Sequence, residues 1–230
     1  DCIMNKYILI AAIMLVAKGA KGQDVWEVPT DNSTNNTEMK AAKGNKTENG
    51  TTKTSLKNPQ YLSGAVTEKD GKVAWELNID LKGKTAQQIY DATIKTFQSY
   101  TKQDNQLEGS KIALVNKTEH IIVAQVKEWL VFKDAFLALD RAKLQYNLVA
   151  TCMDGKLNVT MGRISYIYDG NDGKGETKIL AEEAINDKNG LNKKKTKLTP
   201  GWARFRIKTV DRKDEVFNYI KEKTATFLAD

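Results

Sequence analysis

Few side chains in this sequence are equipped for chemistry. It has one histidine, His120, and two cysteines, Cys2 and Cys152. A thiol becomes a nucleophile when a base activates it, so His120 and Cys152 are the pairing to consider. Cys152, however, is in phase with Leu144, Tyr146, Leu148 and Ala150 on the apolar side of an alternating run. A thiol placed there behaves as a small, inert hydrophobe. A metal site needs several ligands at fixed spacing, and Glu182-Glu183 reads as a solvated helix face instead. The loop Asp169-Gly170-Asn171-Asp172-Gly173 resembles the start of a calcium loop, but Glu176 arrives too early to close twelve residues. A mobile hairpin tip is expected there. These residues assign no catalytic, metal-binding or cofactor-binding role, and no cofactor is expected.

Charge gives a second lead. Lys193, Lys194, Lys195, Lys197, Arg204, Arg206, Lys208, Arg212 and Lys213 place nine positive charges within 21 residues. Trp202 and Phe205 lie among them, and aromatics interleaved with cations suit interfaces. Lys193, Lys194, Lys195, Lys197, Trp202, Arg204 and Arg206 therefore form a candidate patch for an acidic envelope partner, polysaccharide or protein. The plainer alternative is a solvated loop and helix start. Nucleic acid is not the expected partner. The net charge of +7 is the difference of 36 basic and 29 acidic side chains, and lysines outnumber arginines 31 to 5. Arginine is the better residue for bidentate phosphate contacts, and nucleic-acid binders concentrate their charge on one face.

The elements that carry these residues begin after an N-terminal leader. With a start at Met4, Lys6 precedes the apolar run Tyr7–Val16, and small residues follow at Ala17, Gly19, Ala20 and Gly22. That is the layout of a secretory signal, expected to span 1–22 with cleavage after Gly22 or, alternatively, Ala20. Lys18 interrupts the run well short of the ~20 apolar residues of a membrane span, so no span is expected in the mature form. The protein is thus expected to be exported, to the periplasm, cell envelope or medium. Residues 23–57 are rich in asparagine and threonine, with only Val25, Trp26, Val28, Met39 and Leu56 able to anchor anything. Such a composition does not offset chain entropy, so a mobile linker is expected. In the expected mature chain Cys152 is the one cysteine, and no internal disulfide is expected.

From residue 58 to 230 the pattern is that of a single domain. Tyr61–Thr67 can be a strand, and Asp70-Gly71 is a turn signal. Val73, Trp75, Leu77, Ile79 and Leu81 alternate with Ala74, Glu76, Asn78 and Asp80, which predicts a strand with one buried face. Thr85-Ala86-Gln87-Gln88 is a capping box, followed by Ile89, Tyr90, Ile94, Phe97 and Tyr100 at helical spacing. Further strands are expected at Lys111–Asn116 and His120–Phe132. Two more, from Lys143 to Cys152 and from Leu157 onward, are joined at Asp154-Gly155. Beyond Gly162 the apolar phase slips by one, to Ile164, Tyr166 and Tyr168, so a β-bulge is expected at Gly162, with positive φ there a further expectation. A short helix is predicted over Ile179–Ile185 and a last helix from about Val210. Strands, helix, strands, helix make an α+β fold: an antiparallel sheet with two main helices on one face. The other face is left open, with Glu76, Asn78, Asp80, Gln145, Asn147 and Thr151 on it.

Four segments carry a resemblance. Gly83–Asp91, Glu128–Phe132, Ala150–Met161 and Leu191–Leu198 look like a family of exported gut-bacterial proteins, a domain of unknown function with a TATA-box-binding-protein-like (TBP-like) fold. The likeness covers about residues 61–227. It implies a curved antiparallel sheet with two helices across one face, and it implies no activity and no catalytic residues. Fold does not imply function, and the polar open-face residues do not suit a minor-groove reader. The expectation is a non-catalytic exported binding or assembly module of the cell envelope. The alternatives are an enzyme of unidentified class and, third, a nucleic-acid binder.

Overall fold

A computed structural model of the chain describes residues 26–27, 55–135, 138–169 and 175–229. The expected leader lies outside these residues. Of the expected linker they include only Trp26–Glu27, a two-residue strand (β1), and Ser55–Lys57, a 3-10 turn. A second 3-10 turn spans Pro59–Tyr61. The order continues β2 (Glu68–Lys69), β3 (Lys72–Asp80), α1 (Ala86–Tyr100), β4 (Lys111–Asn116), β5 (Ile121–Ala135), β6 (Ala138–Met153) and β7 (Lys156–Asp169). It ends with β8 (Glu176–Leu180), α2 (Ala181–Ala184) and α3 (Pro200–Ala229).

The strands form one antiparallel sheet in the order β1-β4-β5-β6-β7-β3-β2. β8 pairs with the second half of β7, beyond the part that pairs with β3. Alternation decides which face each side chain takes. Ile122, Ala124, Val126 and Leu130 of β5 are buried with Leu144, Leu148 and Ala150 of β6 and Leu157, Val159 and Met161 of β7. Ile89, Tyr90, Phe97 and Tyr100 of α1 and Phe205, Val210, Val216 and Ile220 of α3 join them in one core. The two long helices also touch each other, Thr96 and Thr224 sharing a 3.2 Å hydrogen bond. A curved α+β sheet with its helices on one face is the expected architecture.

The capping box at Thr85 forms as expected: Thr85 Oγ1 accepts from Gln88 N and Gln88 Oε1 accepts from Thr85 N. The bulge also forms. Gln145 faces Ser165 while Asn147 faces Gly162, so β7 holds one extra residue. Ile164 and Tyr166 thereby return to the buried side. The positive φ falls at Arg163 (55°), not at Gly162, which corrects the expectation for the glycine.

Three boundaries differ from expectation. Tyr61–Thr67 is not a strand, because Asn58 caps a 3-10 turn that opens with Pro59. Ile179 and Leu180 belong to β8, leaving a single helical turn at Ala181–Ala184. α3 begins at Pro200, ten residues before Val210. Pro200 is pre-set for the first helical position, and Thr199 O accepts from Trp202 N and Ala203 N. The helix therefore takes in Trp202, Arg204 and Arg206.

Candidate partner-binding surface

The ionisable side chains inside the domain are engaged in holding it together. Glu128 extends the buried row of β5 between Val126 and Leu130 and is 1% exposed. Its Oε1 accepts from Tyr146 OH (2.8 Å) and Arg212 Nε (2.9 Å). Its Oε2 accepts from Arg212 (2.8 Å), Asn105 (3.0 Å) and Gln106 (3.0 Å). The Tyr100 and Tyr146 hydroxyls share a 2.6 Å hydrogen bond. Burial, with the Glu128 charge beside it, pushes the Tyr100 phenol well up. Burial disfavours the Arg212 guanidinium, but its hydrogen bonds to Glu128 and Glu215 and the neighbouring Tyr100 and Glu128 together outweigh that and keep it charged. A carboxylate with five donors is saturated, so this cluster ties β5, β6, α1 and α3 together and is not poised as a general base.

His120 and Cys152 are backbone neighbours, Cys152 N donating to His120 O (3.0 Å), but their side chains take different partners. The His120 ring meets Gln87 Oε1 (3.1 Å) and the edge of Tyr90. The Cys152 thiol is buried against Thr93 (3.9 Å), and burial pushes its pKa up to about 12. Glu182 accepts from Val73 N (2.9 Å) and Glu183 from Leu180 N (3.3 Å), so both cap backbone. Among the described residues no group of His, Cys, Asp and Glu could hold a metal ion. Residues 170–174 of the hairpin loop lie outside the described residues.

The seven residues of the basic patch do not share one surface. Arg206 is fully buried. Its guanidinium donates to Tyr61 O (2.6 Å), Leu62 O (2.7 Å), Ile185 O (2.5 Å) and Asp187 Oδ1 (2.7 Å), clamping α3 to the end of the Pro59–Tyr61 turn and to the loop after α2. Arg204 pairs with Asp140 and donates to Tyr168 OH (2.9 Å), with its charge over the Phe132, Tyr168 and Phe205 rings. Trp202 meets Phe205 edge-on at 5.7 Å. These three are packing residues, so the patch contracts to Lys193, Lys194, Lys195 and Lys197, all exposed.

Their loop is held by its own backbone. Leu191 and Leu198 bridge its ends, and Asn192 N donates to Lys197 O (2.9 Å). Asn192 Oδ1 accepts from Thr196 N (2.9 Å) and Lys197 N (3.1 Å), an asparagine-centred turn. Lys195 sits at φ 53°, and its Nζ lies 3.7 Å from Asp187. Behind the loop, Gly190 has no room for a side chain, since a Cβ would come within 2.9 Å of Asn186 O. Leu198 N donates to Leu56 O (2.9 Å), and Leu191, Leu198 and Ala203 pack with Leu56 and Ile207 in a small second core. Asp187 is pushed up by burial, but the hydrogen bonds from Arg206 and Ser63 with the Arg206 and Lys195 charges together outweigh this and hold it below the ordinary carboxylate range.

The uncovered sheet face is polar where expected: Glu76, Asn78 and Asp80 are exposed, and Gln145, Asn147 and Thr151 half-buried. It also carries residues the sequence reading did not single out. Arg141 stacks on Trp129 with its guanidinium carbon 3.6 Å from the ring centroid, and Lys143 pairs with Glu176 at 2.6 Å. The odd-numbered phase of β5, opposite the buried Val126 and Leu130, was the signal for Trp129. No helix of the described residues is long and apolar enough to cross a membrane.

The chain is similar to a family described as a domain of unknown function (DUF4468) with a TBP-like fold, whose model matches residues 75–167. Among solved structures it is similar to a DUF4468 family protein from Bacteroides ovatus. The two are 36% identical, the match covers 72% of this chain and 93% of that one, and the TM-score is 0.67. A TBP-like protein from Parabacteroides distasonis is 20% identical, with 70% of this chain and 97% of that one covered and a TM-score of 0.53. At that identity the likeness is one of fold. No curated protein matches.

Proposed function

The chain belongs to the DUF4468 family, whose description gives a TBP-like fold and no activity, and from that premise we propose that it is a non-catalytic, exported binding module of the cell envelope. Its partner in this reading is an anionic envelope polymer, met by the loop of Lys193, Lys194, Lys195 and Lys197. The observation that carries the reading is the loop itself: four exposed lysines within five residues, on a backbone fixed by the Asn192 turn and the Leu191–Leu198 bridge. Fixing the backbone before binding lowers the ordering cost of association. Lysines offer compact charges and not a planar fork, so they recognise charge density and not one anion geometry. Export is supported by the leader pattern at 1–22.

The enzyme reading gains no support from a domain whose buried Glu128, Arg206 and Cys152 are taken up in structural contacts. A nucleic-acid role gains none from an uncovered face that mixes Glu76, Asp80 and Glu176 with its cations. Binding of the full chain to polygalacturonate and to dextran sulfate tests the proposal. Affinity should fall steeply as salt rises from about 50 to about 200 mM, because the screening length shortens from roughly 14 to roughly 7 Å over that range. Binding that ignores salt, or no binding at low salt, would reject it.

A further inference from the structure

The β5–β6 hairpin outruns the rest of the sheet. β4 leaves β5 at Gln125, a single bridge from Gln106 reaches Glu128, and β7 leaves β6 at Lys143. Past these points, among the described residues, Leu130, Val131 and Lys133 pair only with Ala142, Arg141 and Asp140. The helix side of this overhang is held: the Phe132 and Phe205 rings lie 4.5 Å apart, and Arg204 pairs with Asp140. Successive strand residues point to opposite faces, so Trp129, Val131, Leu139 and Arg141 share the uncovered face. Val131 is 37% and Leu139 50% exposed, Trp129 is half-buried, and Ile167 continues the row of Trp129 and Lys143 onto β7.

On this face Arg141 lacks a counter-charge. It is exposed, its guanidinium carbon stands 3.6 Å from the Trp129 ring centroid, and it makes no hydrogen bond or ion pair among the described residues. The neighbouring carboxylates are taken: Lys143 holds Glu176 and Arg204 holds Asp140. Arg206 and Arg212 are likewise committed, to Asp187 and Glu128. A guanidinium laid on an indole keeps its N–H edge for a carboxylate, which it grips with two parallel hydrogen bonds. Stacking orients that edge before a partner arrives, and this lowers the cost of association. Tryptophan and arginine are also the residues on which interfaces most depend. Here one oriented fork adjoins exposed aliphatic side chains, so the matching partner carries an acid and an apolar group together.

We propose that the outer face of this hairpin, formed by Trp129, Val131, Leu139, Arg141 and Ile167, is a docking site for a protein segment that sets an aspartate or glutamate beside an apolar side chain. The carboxylate meets the unpaired Arg141, and the apolar neighbour covers Val131 or Leu139. An anionic polymer would satisfy the charge and leave the aliphatic side chains in water. The site is separate from the lysine loop and does not rest on the reading given for it.

Selection of a displayed library of short random peptides on the full chain tests this. The enriched peptides should place Asp or Glu beside Leu, Ile, Val or an aromatic residue. Arg141→Lys keeps the charge without the planar fork, and it should weaken those peptides by about tenfold, as should Arg141→Gln. Changing Lys193, Lys194, Lys195 and Lys197 all to Gln should leave them within about twofold of the parent, since exposed charges act within roughly a Debye length. Arg141 is exposed, so thermal midpoints matching the parent verify that its variants are folded. Dextran sulfate binding should be the same in Arg141→Gln as in the parent. A library that enriches no acidic peptide, or peptides that bind the Arg141→Lys chain as tightly as the parent, would overturn the site. A loss of dextran sulfate binding in Arg141→Gln as large as its loss of peptide binding would also overturn it, by assigning the face to the anionic polymer.

Discussion

Glu128 shows how much of the interior depends on a single residue. A lone carboxylate buried among Val126, Leu130 and Leu144 would be costly, and Arg212, reaching from α3 with two hydrogen bonds, is what makes it tolerable. Breaking a buried pair by removing one partner strands the other charge. Arg212→Ala should therefore cost about 3 kcal/mol, toward the low end for such pairs because Tyr146, Asn105 and Gln106 still donate to Glu128. The readout is the urea midpoint at unchanged slope, and an unmoved midpoint would mean that the cluster is not a stabilising link. None of this was legible beforehand. The alternation of β5 places Glu128 on the buried side, but its partner stands 84 residues away on a helix that periodicity started ten residues late. The inertness of Cys152 was legible, because one phase of one strand suffices to bury it.

At the scale of elements, local chemistry was the most readable. The Thr85–Gln88 box formed where the sequence put it because both halves of a capping box lie within four residues. The bulge in β7 was legible as a slip in apolar phase, yet its backbone detail was not. Positive φ was expected at the glycine, and the structure gives it to Arg163, while a Cβ added at Gly162 would meet Ala74 Cβ at an ordinary 3.7 Å. That moves the sensitive position by one residue. Arg163→Val, which forces a β-branched side chain into left-handed backbone, should destabilise by about 1–3 kcal/mol. Arg163→Gly should be neutral or mildly stabilising. Thermal midpoints of the two variants decide it, and equal effects would show that the bulge does not need the positive φ. The start of α3 was missed for a physical reason. Lys193–Lys213 reads as one continuous basic stretch, and the acidic residues Asp211, Asp214 and Glu215 suggested a helix N-terminus that in fact lies at Thr199-Pro200.

For the molecule as a whole, the covered face of the sheet was decided by alternation and the two long helices, and it could be read from the sequence. The proposed binding surface could be read only in part. Charge counting found the basic run, but the run splits between a loop and a helix: Arg206 is buried on α3, Arg204 is half-buried against Asp140, and the four loop lysines are exposed. A one-dimensional count cannot separate a cation that clamps Tyr61 O and Leu62 O from one that meets solvent. The central claim is that this loop, and not net charge spread over the surface, makes the protein a binding module. The most direct measurement compares two full-length variants for binding to dextran sulfate at low salt: Lys193, Lys194, Lys195 and Lys197 all changed to Gln, and Lys102, Lys111, Lys221 and Lys223 all changed to Gln. Both lose four charges from exposed lysines. The account predicts that the first variant loses binding by about tenfold or more while the second stays within about twofold of the parent, since exposed charges act within roughly a Debye length. Equal losses in the two variants would contradict it.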